Sequence, residues 1–270
     1  MMNVLLSLNT DLGSSIAVRY ANELTARSPM IVQYIHVVDP SRNSGTSGSG
    51  WVRHTYEKVL LESGEDEVRR FLEMEKAHGQ HLKIHKIVIG DRTEKIIDEL
   101  HQGQYHLFME GVLPTFSQTD FHDLLTSRLY RLTPCPVLIV KNLVVPEKTA
   151  LLLDGNTEMK QLVSSYSKVL NSLQFSLDLV FITFNTSGEV TVHEKNPAGD
   201  ASLESIKKDL SSAGITPKAI HYITGPPLKI AGHLREYGLI VSSLNYNPRK
   251  NHPMIDLLGQ TPSPLLICWR

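Results

Sequence analysis

Cysteine is almost absent: Cys135 and Cys268 are the only two in 270 residues. A disulfide framework and a cysteine-rich metal centre are therefore excluded. Both cysteines adjoin or sit inside short apolar runs, so buried, inert thiols are expected. Long apolar runs are also missing. None approaches the roughly 18–20 residues that a membrane-spanning helix needs. An excess of one charge is missing as well, with 27 basic and 28 acidic residues and a formal net charge of -1. Such a balance gives no electrostatic case for nucleic acid or an anionic membrane as partner. Met1-Met2-Asn3-Val4-Leu5-Leu6 lacks the basic start of a secretory signal, so a cytoplasmic address is expected.

Catalytic signatures are sparse too. Gly-Lys-Ser/Thr does not occur, which removes the P-loop. The nearest approach to a nucleophile elbow, Gly45-Thr46-Ser47-Gly48-Ser49, closes one residue early and lies in a Ser/Gly-rich stretch, Ser41 to Gly50. The acidic run Glu62, Glu65, Asp66 and Glu67 reads as a solvated helix face rather than paired catalytic carboxylates. Histidine is plentiful at 12. The densest group, His78, His81 and His85, has no cysteine nearby to complete a common zinc set, so no metal site is expected. His36 and His221 fall within strands, and His101 and His233 near helix C-termini, where the dipole favours a cation.

What the chain does contain is a repeat. Thr133-Pro134-Cys135-Pro136-Val137-Leu138-Ile139-Val140 returns as Thr261-Pro262-Ser263-Pro264-Leu265-Leu266-Ile267-Cys268. Two prolines lead into a short apolar run, the pattern of a buried strand whose entrance needs no backbone donor. The rest follows in two matching passes. The first half gives strands at Val4–Leu8, Met30–Val38, Leu82–Ile89, Tyr105–Met109 and Pro136–Val140. Helices alternate with them from Ser14, over Trp51–Ala77 with a break expected at Gly64, over Arg92–His101 and over Phe121–Leu132. The second half gives strands at Ala150–Asp154, Asp178–Phe184, Ala219–Thr224, a strand ending near Ser243, and Pro264–Cys268. Its helices run over Met159–Leu173, Leu203–Ala213 and, much shortened, Pro253–Gln260. Val190-Thr191-Val192 reads as an added hairpin arm after Asn185–Gly188. The fold class is α/β, with two domains, 1–144 and 145–270, joined by a short linker.

The order and spacing of these motifs resemble the universal stress protein family. The residues that carry the resemblance are Val4–Asn9 with Ser14, Arg19, Tyr20 and Ala21; Ile35–Asp39; Val88–Asp91; and Pro134–Val140. In the second half they are Leu151–Gly155, Gly225-Pro226-Pro227 and Pro262–Ile267. The resemblance implies two tandem doubly wound five-stranded parallel sheets, each in the order 3-2-1-4-5. It also implies pairing through the fifth strands, here an intramolecular pseudo-dimer that leaves room for a homodimer. A ligand would lie at the carboxyl ends of strands one and four. Asn9, Val38 and Gly111 mark that crevice in the first half, and Asp154, with Ser243, in the second.

Nucleotide-binding members are similar to G-x2-G-x9-G-[ST] after strand four, where backbone N–H groups reach the phosphates. Here Gly111 matches the first glycine, but Pro114, Leu124 and Leu125 take the other positions. A two-residue slide recovers the hydroxyls of Thr126 and Ser127 but no glycine. In the second half, Ser243 to Tyr246 replaces the start, and Gly259 falls at the wrong end of a helix. The acidic residue after strand one is Asn9 in the first half and remains Asp154 in the second. The expectation is a non-enzymatic module for a small ligand or protein partner, with no catalytic residue, no metal and no ATP cofactor. The alternative is an adenine-nucleotide-binding protein with slow ATPase activity.

Overall fold

The computed structural model describes residues 1–40, 50–76, 84–113, 118–144, 147–155, 157, 159–170, 175–186, 188–194, 201–245 and 252–269. In the first half, strands β1 (Met2–Leu8), β2 (Met30–Val38), β3 (Ile84–Ile89), β4 (Leu107–Gly111) and β5 (Val137–Val140) alternate with helices. These are α1 (Leu12–Arg27), α2 (Trp51–Lys76), α3 (Arg92–Gln102), α4 (Gln118–Leu125) and α5 (Arg128–Leu132). In the second half, the strands are β6 (Lys148–Leu153), β7 (Ser176–Phe184), β8 (Thr191–His193), β9 (Ala219–Gly225), β10 (Leu239–Leu244) and β11 (Leu265–Trp269). The helices are α6 (Met159–Leu170), α7 (Ala201–Ser212), α8 (Pro227–His233) and α9 (Pro253–Gln260).

The eleven strands of the described residues belong to one sheet, ordered β3-β2-β1-β4-β5-β11-β10-β6-β7-β9-β8. Pairs within each half are parallel, except that β8 runs antiparallel to β9. The halves meet where β5 and β11 pair antiparallel, with Leu138 opposite Leu266. The sequence leads to two five-stranded sheets paired through their fifth strands, Pro136–Val140 facing Pro264–Cys268, and these strands do pair. The sheets merge because a fifth strand left as an edge would expose a row of unpaired backbone groups, and each edge satisfies the other. The prolines explain how each fifth strand begins. The carbonyl of Pro136 accepts from Phe108 N–H, and that of Pro264 accepts from Ile240 N–H, both at 3.0 Å. At those positions the ladder needs an acceptor and no donor, and proline supplies that.

Two apolar cores lie one on each face of the sheet, and both run through both halves. One packs Leu6, Val18 and Leu138 together with Leu151, Leu179 and Leu266. The other joins Phe108, Tyr130 and Val137 with Ile240, Leu257 and Ile267. Cys135 and Cys268 are buried free thiols, and desolvation pushes each up to about 12, so neither is a nucleophile near neutral pH.

Three elements differ from the sequence reading. Gly64 does not break α2; the helix is continuous, and a Cβ there would lie 2.6 Å from Val38 Cγ2. The glycine lets the helix lie close on β2. The helix expected over Phe121–Leu132 is two helices, because Ser127 caps the second by accepting from Tyr130 N–H. The added arm β8 pairs with β9 and not with the strand that precedes it. The start of the expected third strand, Leu82 and Lys83, lies outside the described residues.

Candidate functional site

At the carboxyl end of β1 the chain turns through Asn9 and Thr10. Thr10 has φ +54°, an uncommon conformation for a β-branched residue. The turn is held from α2, where the Glu67 carboxylate accepts from the Thr10 hydroxyl, and by its own neighbours. Asn9 N–H donates to Ser14 Oγ at 2.8 Å, and Asp11 caps α1 by accepting from Ser14 N–H at 2.7 Å. On the α1 face, Gly13 and Gly111 meet backbone to backbone. A Cβ on Gly111 would lie 1.8 Å from the Gly13 carbonyl oxygen. Gly111 thus lets α1 close over the end of β4.

On the other face the crevice is filled by an arginine. Asp91 caps α3 by accepting from Glu94 N–H, and Arg92, the first helical residue, reaches across the strand ends. Its Nε donates to Asn9 Oδ1 at 3.0 Å and a terminal nitrogen donates to Ser7 Oγ at 2.8 Å. The same nitrogen pairs with the Glu110 carboxylate. Glu110 is buried and stands beside Ser7 in the β1–β4 register. Its other oxygen accepts from the Tyr130 hydroxyl at 2.7 Å. Burial and the Glu110 charge push the Tyr130 phenol well above its ordinary value, so it remains a donor. The Asn9 oxygen, the Ser7 hydroxyl and the Glu110 carboxylate all present acceptors to this cation. A phosphate would need donors.

The structure places Asn9 and Gly111 together at this crevice, each already engaged within the protein. Val38 ends β2, accepts from Gly90 N–H at 3.1 Å and packs against Gly64. Leu125 is fully buried, and Pro114 lies outside the described residues. The sequence reading missed Arg92, Glu110 and Tyr130. The signal available was a charged residue two positions after the strand-three glycine together with a glutamate in an otherwise apolar strand.

The second crevice is built differently. Strand registers make Ser242 the counterpart of Glu110 and Ser243 the counterpart of Gly111, since Phe108 pairs Leu5 as Ile240 pairs Ala150. Counting from Gly90 and Gly225, Pro227 stands in the place of Arg92. No filling cation is therefore supplied from this position. Asp154 closes a turn with Thr157, which donates from Oγ1 to Asp154 Oδ1 at 2.8 Å. The Ser242 and Ser243 hydroxyls are buried and have no hydrogen-bond partner among the described residues. A Cβ on Gly155 would meet nothing within 4 Å.

No protein-family model and no curated protein matches the chain. Solved structures do. A universal stress protein from Archaeoglobus fulgidus DSM 4304 aligns over 99% of this chain and 96% of its own, with a TM-score of 0.67 and 14% sequence identity. The chain has the universal stress protein fold. A functionally unknown protein from Pseudomonas aeruginosa PAO1 aligns over 100% of this chain and 92% of its own, at TM-score 0.57 and 12% identity. The universal stress fold winds outward from the β1–β4 pair in the first half and from β6–β10 in the second. Its two switch points are therefore the two crevices described above.

Among the described residues no group of three or more His, Cys, Asp or Glu could hold a metal ion. No described helix is long and apolar enough to cross a membrane. His36 is a buried strand residue whose Nδ1 lies 2.9 Å from the Leu8 carbonyl oxygen. His78 and His81 lie outside the described residues.

Proposed function

We propose that this is a universal-stress-type recognition protein without catalytic activity, built from units 1–144 and 145–270 and working in the cytoplasm. Its first crevice is occupied by its own Arg92. The second, around Asp154, Ser242 and Ser243, takes a small polar ligand. The observation that carries this reading is the contrast between the two switch points. One pairs an internal guanidinium with Glu110, Ser7 and Asn9 and is covered by the Gly13–Gly111 contact. The other holds the buried Ser242 and Ser243 hydroxyls, with no hydrogen-bond partner among the described residues, and the open Gly155 after Asp154. Buried polar groups are satisfied in folded proteins as a rule, so hydroxyls at a switch point that find no partner among the described residues favour an external one there.

A nucleotide in the first crevice would have to displace Arg92 and set its phosphates against Glu110. Of the glycines that the resemblance places after strand four, the second is Pro114 and the third Leu124, and Leu125 stands where the hydroxyl residue would be. Adenine-nucleotide binding with slow hydrolysis is therefore the second reading. Native mass spectrometry of protein taken directly from its cells, beside calorimetry with magnesium ATP, tests both. The first reading predicts a small adduct that Asp154→Ala removes, and no micromolar ATP binding. Micromolar ATP affinity lost on Asn9→Ala or Gly111→Ala would reverse the order.

A further inference from the structure

The opposite end of the sheet carries a second polar cluster, and it too occurs twice. Strand registers equate Leu5 with Ala150, hence Asn3 with Lys148 and Gln33 with Asp178. They equate Tyr105 with Tyr237, each three residues before the partner of Leu5 or Ala150, and Lys86 with His221.

In the second half this cluster is full. Lys148 Nζ lies over the Tyr237 ring, 4.4 Å from its centroid, and pairs with Asp178 at 3.3 Å and Glu236 at 3.0 Å. Tyr237 OH donates to Asp178 at 3.1 Å. Burial opposes the ammonium, but Glu236 and Asp178 outweigh it and hold Lys148 above its ordinary value.

In the first half the lysine position is Asn3, shorter and uncharged, and a cleft of about 310 Å³ opens there. Its floor keeps the tyrosine but not the acids: Asp178 becomes Gln33 and Glu236 becomes Gln104, and the carboxylate comes instead from Glu99 on α3. Tyr105 OH donates to Glu99 Oε1 at 2.7 Å and lies 2.8 Å from the Gln33 amide. Lys86 Nζ pairs with the other Glu99 oxygen at 2.6 Å. Glu99 is buried, while the Lys86 side chain is 42% exposed and able to turn toward a ligand. Gln102 and Gln104 add amides at the rim. The Tyr105 ring rests on Gly103, where a Cβ would lie 2.1 Å from Cε2.

We propose that this cleft binds a small zwitterion of the α-amino acid class. The ligand ammonium takes the place that Lys148 fills in the second half, beside Tyr105 and the Glu99 carboxylate. The ligand carboxylate meets Lys86, and the amides of Gln33, Gln102 and Gln104 bind its remaining polar atoms. The second half supplies the template: an ammonium lies over the tyrosine ring beside Asp178, the carboxylate that accepts from the tyrosine hydroxyl, and in the first half the hydroxyl of Tyr105 bonds Glu99 in the same way. The cleft volume lies at the small end of ligand pockets, which suits a molecule of this size. This site is at the end of the strands remote from both crevices and does not depend on the reading given for them.

The test is a nuclear magnetic resonance titration of the full chain, following the side-chain amides of Gln33, Gln102 and Gln104. The probes are glycine and L-glutamine, with ethylamine and acetate as single-charge controls. Saturable shifts are expected with the zwitterions and binding at least about tenfold weaker with either control. Asn3→Lys, which installs the second half's filling lysine, and Glu99→Gln, a near-isosteric neutral change, each weaken binding by about tenfold or more. Absence of saturable shifts with either zwitterion, equal binding of a control, or binding that survives both substitutions overturns the proposal.

Discussion

Arg92 and Glu110 give the sharpest energetic prediction. Glu110 is 6% exposed as a residue and relies on Arg92 for its countercharge, with Tyr130 as its second partner. Removing one member of a buried pair typically costs about 3–5 kcal/mol, because the remaining charge has lost both water and partner. Arg92 is 30% exposed in its side chain, so water would reach part of the vacated space. The expected loss for Arg92→Ala is therefore about 2–3 kcal/mol, below the range for a fully buried pair. Adding Glu110→Gln to that variant removes the stranded charge while keeping an acceptor for Tyr130. It should restore about 1–2 kcal/mol, so the double variant is more stable than the single one. Urea unfolding of wild type, both single variants and the double variant measures the cycle. An Arg92→Ala loss under about 0.5 kcal/mol, the size of an ordinary surface change, would refute the reasoning. So would a double variant less stable than Arg92→Ala alone.

Gly64→Ala, which in an exposed helix would gain up to about 1 kcal/mol, should instead lower stability by about 1 kcal/mol, as the new methyl meets Val38. Adding Val38→Ala should relieve that clash, and thermal unfolding reports both. Gly111→Ala should cost more, about 3 kcal/mol or above, because the clash is with the Gly13 backbone and cannot be relieved by a rotamer. Lys141 predicts a pH dependence at the seam. It follows β5, donates to the Leu258 and Thr261 carbonyls of the other half at 2.7 and 3.1 Å, and lies over the Phe121 ring. Burial lowers it from 10.5 to about 7. Between these values the unfolded chain holds a proton that the folded chain has released, so stability rises with pH across that window and falls again on acidification. Lys141→Met should flatten this slope in unfolding measured from pH 7 to 10.

The duplicated order was legible because the Pro-x-Pro strands and the glycines after the third strands are local signals, and each appears twice. The joining of the two sheets was legible for the same reason, since a tandem chain carries both edges. Gly64 misled because a helix-breaking tendency and a close approach to β2 leave the same residue in the sequence; only packing against Val38 distinguishes them. The β8 pairing was hidden because a turn signal marks where a chain bends and not which neighbour it then joins. Asn9 and Gly111 could be placed at the strand ends by topology. Their partners could not. Arg92 and Glu110 are 18 residues apart in sequence, and their meeting depends on the Arg92 side chain reaching from the start of α3 across the ends of β1 and β4. The Asn3–Lys148 equivalence needed strand registers, because the flanking residues of the two halves do not resemble one another.

The account turns on Arg92 filling the first switch point. The Arg92 Nε–H resonance, followed during addition of magnesium ATP, reads that directly. It should be slow to exchange with solvent, through its bond to Asn9, and should not move as nucleotide is added. A saturable shift at micromolar ATP, with loss of that protection, would contradict the account.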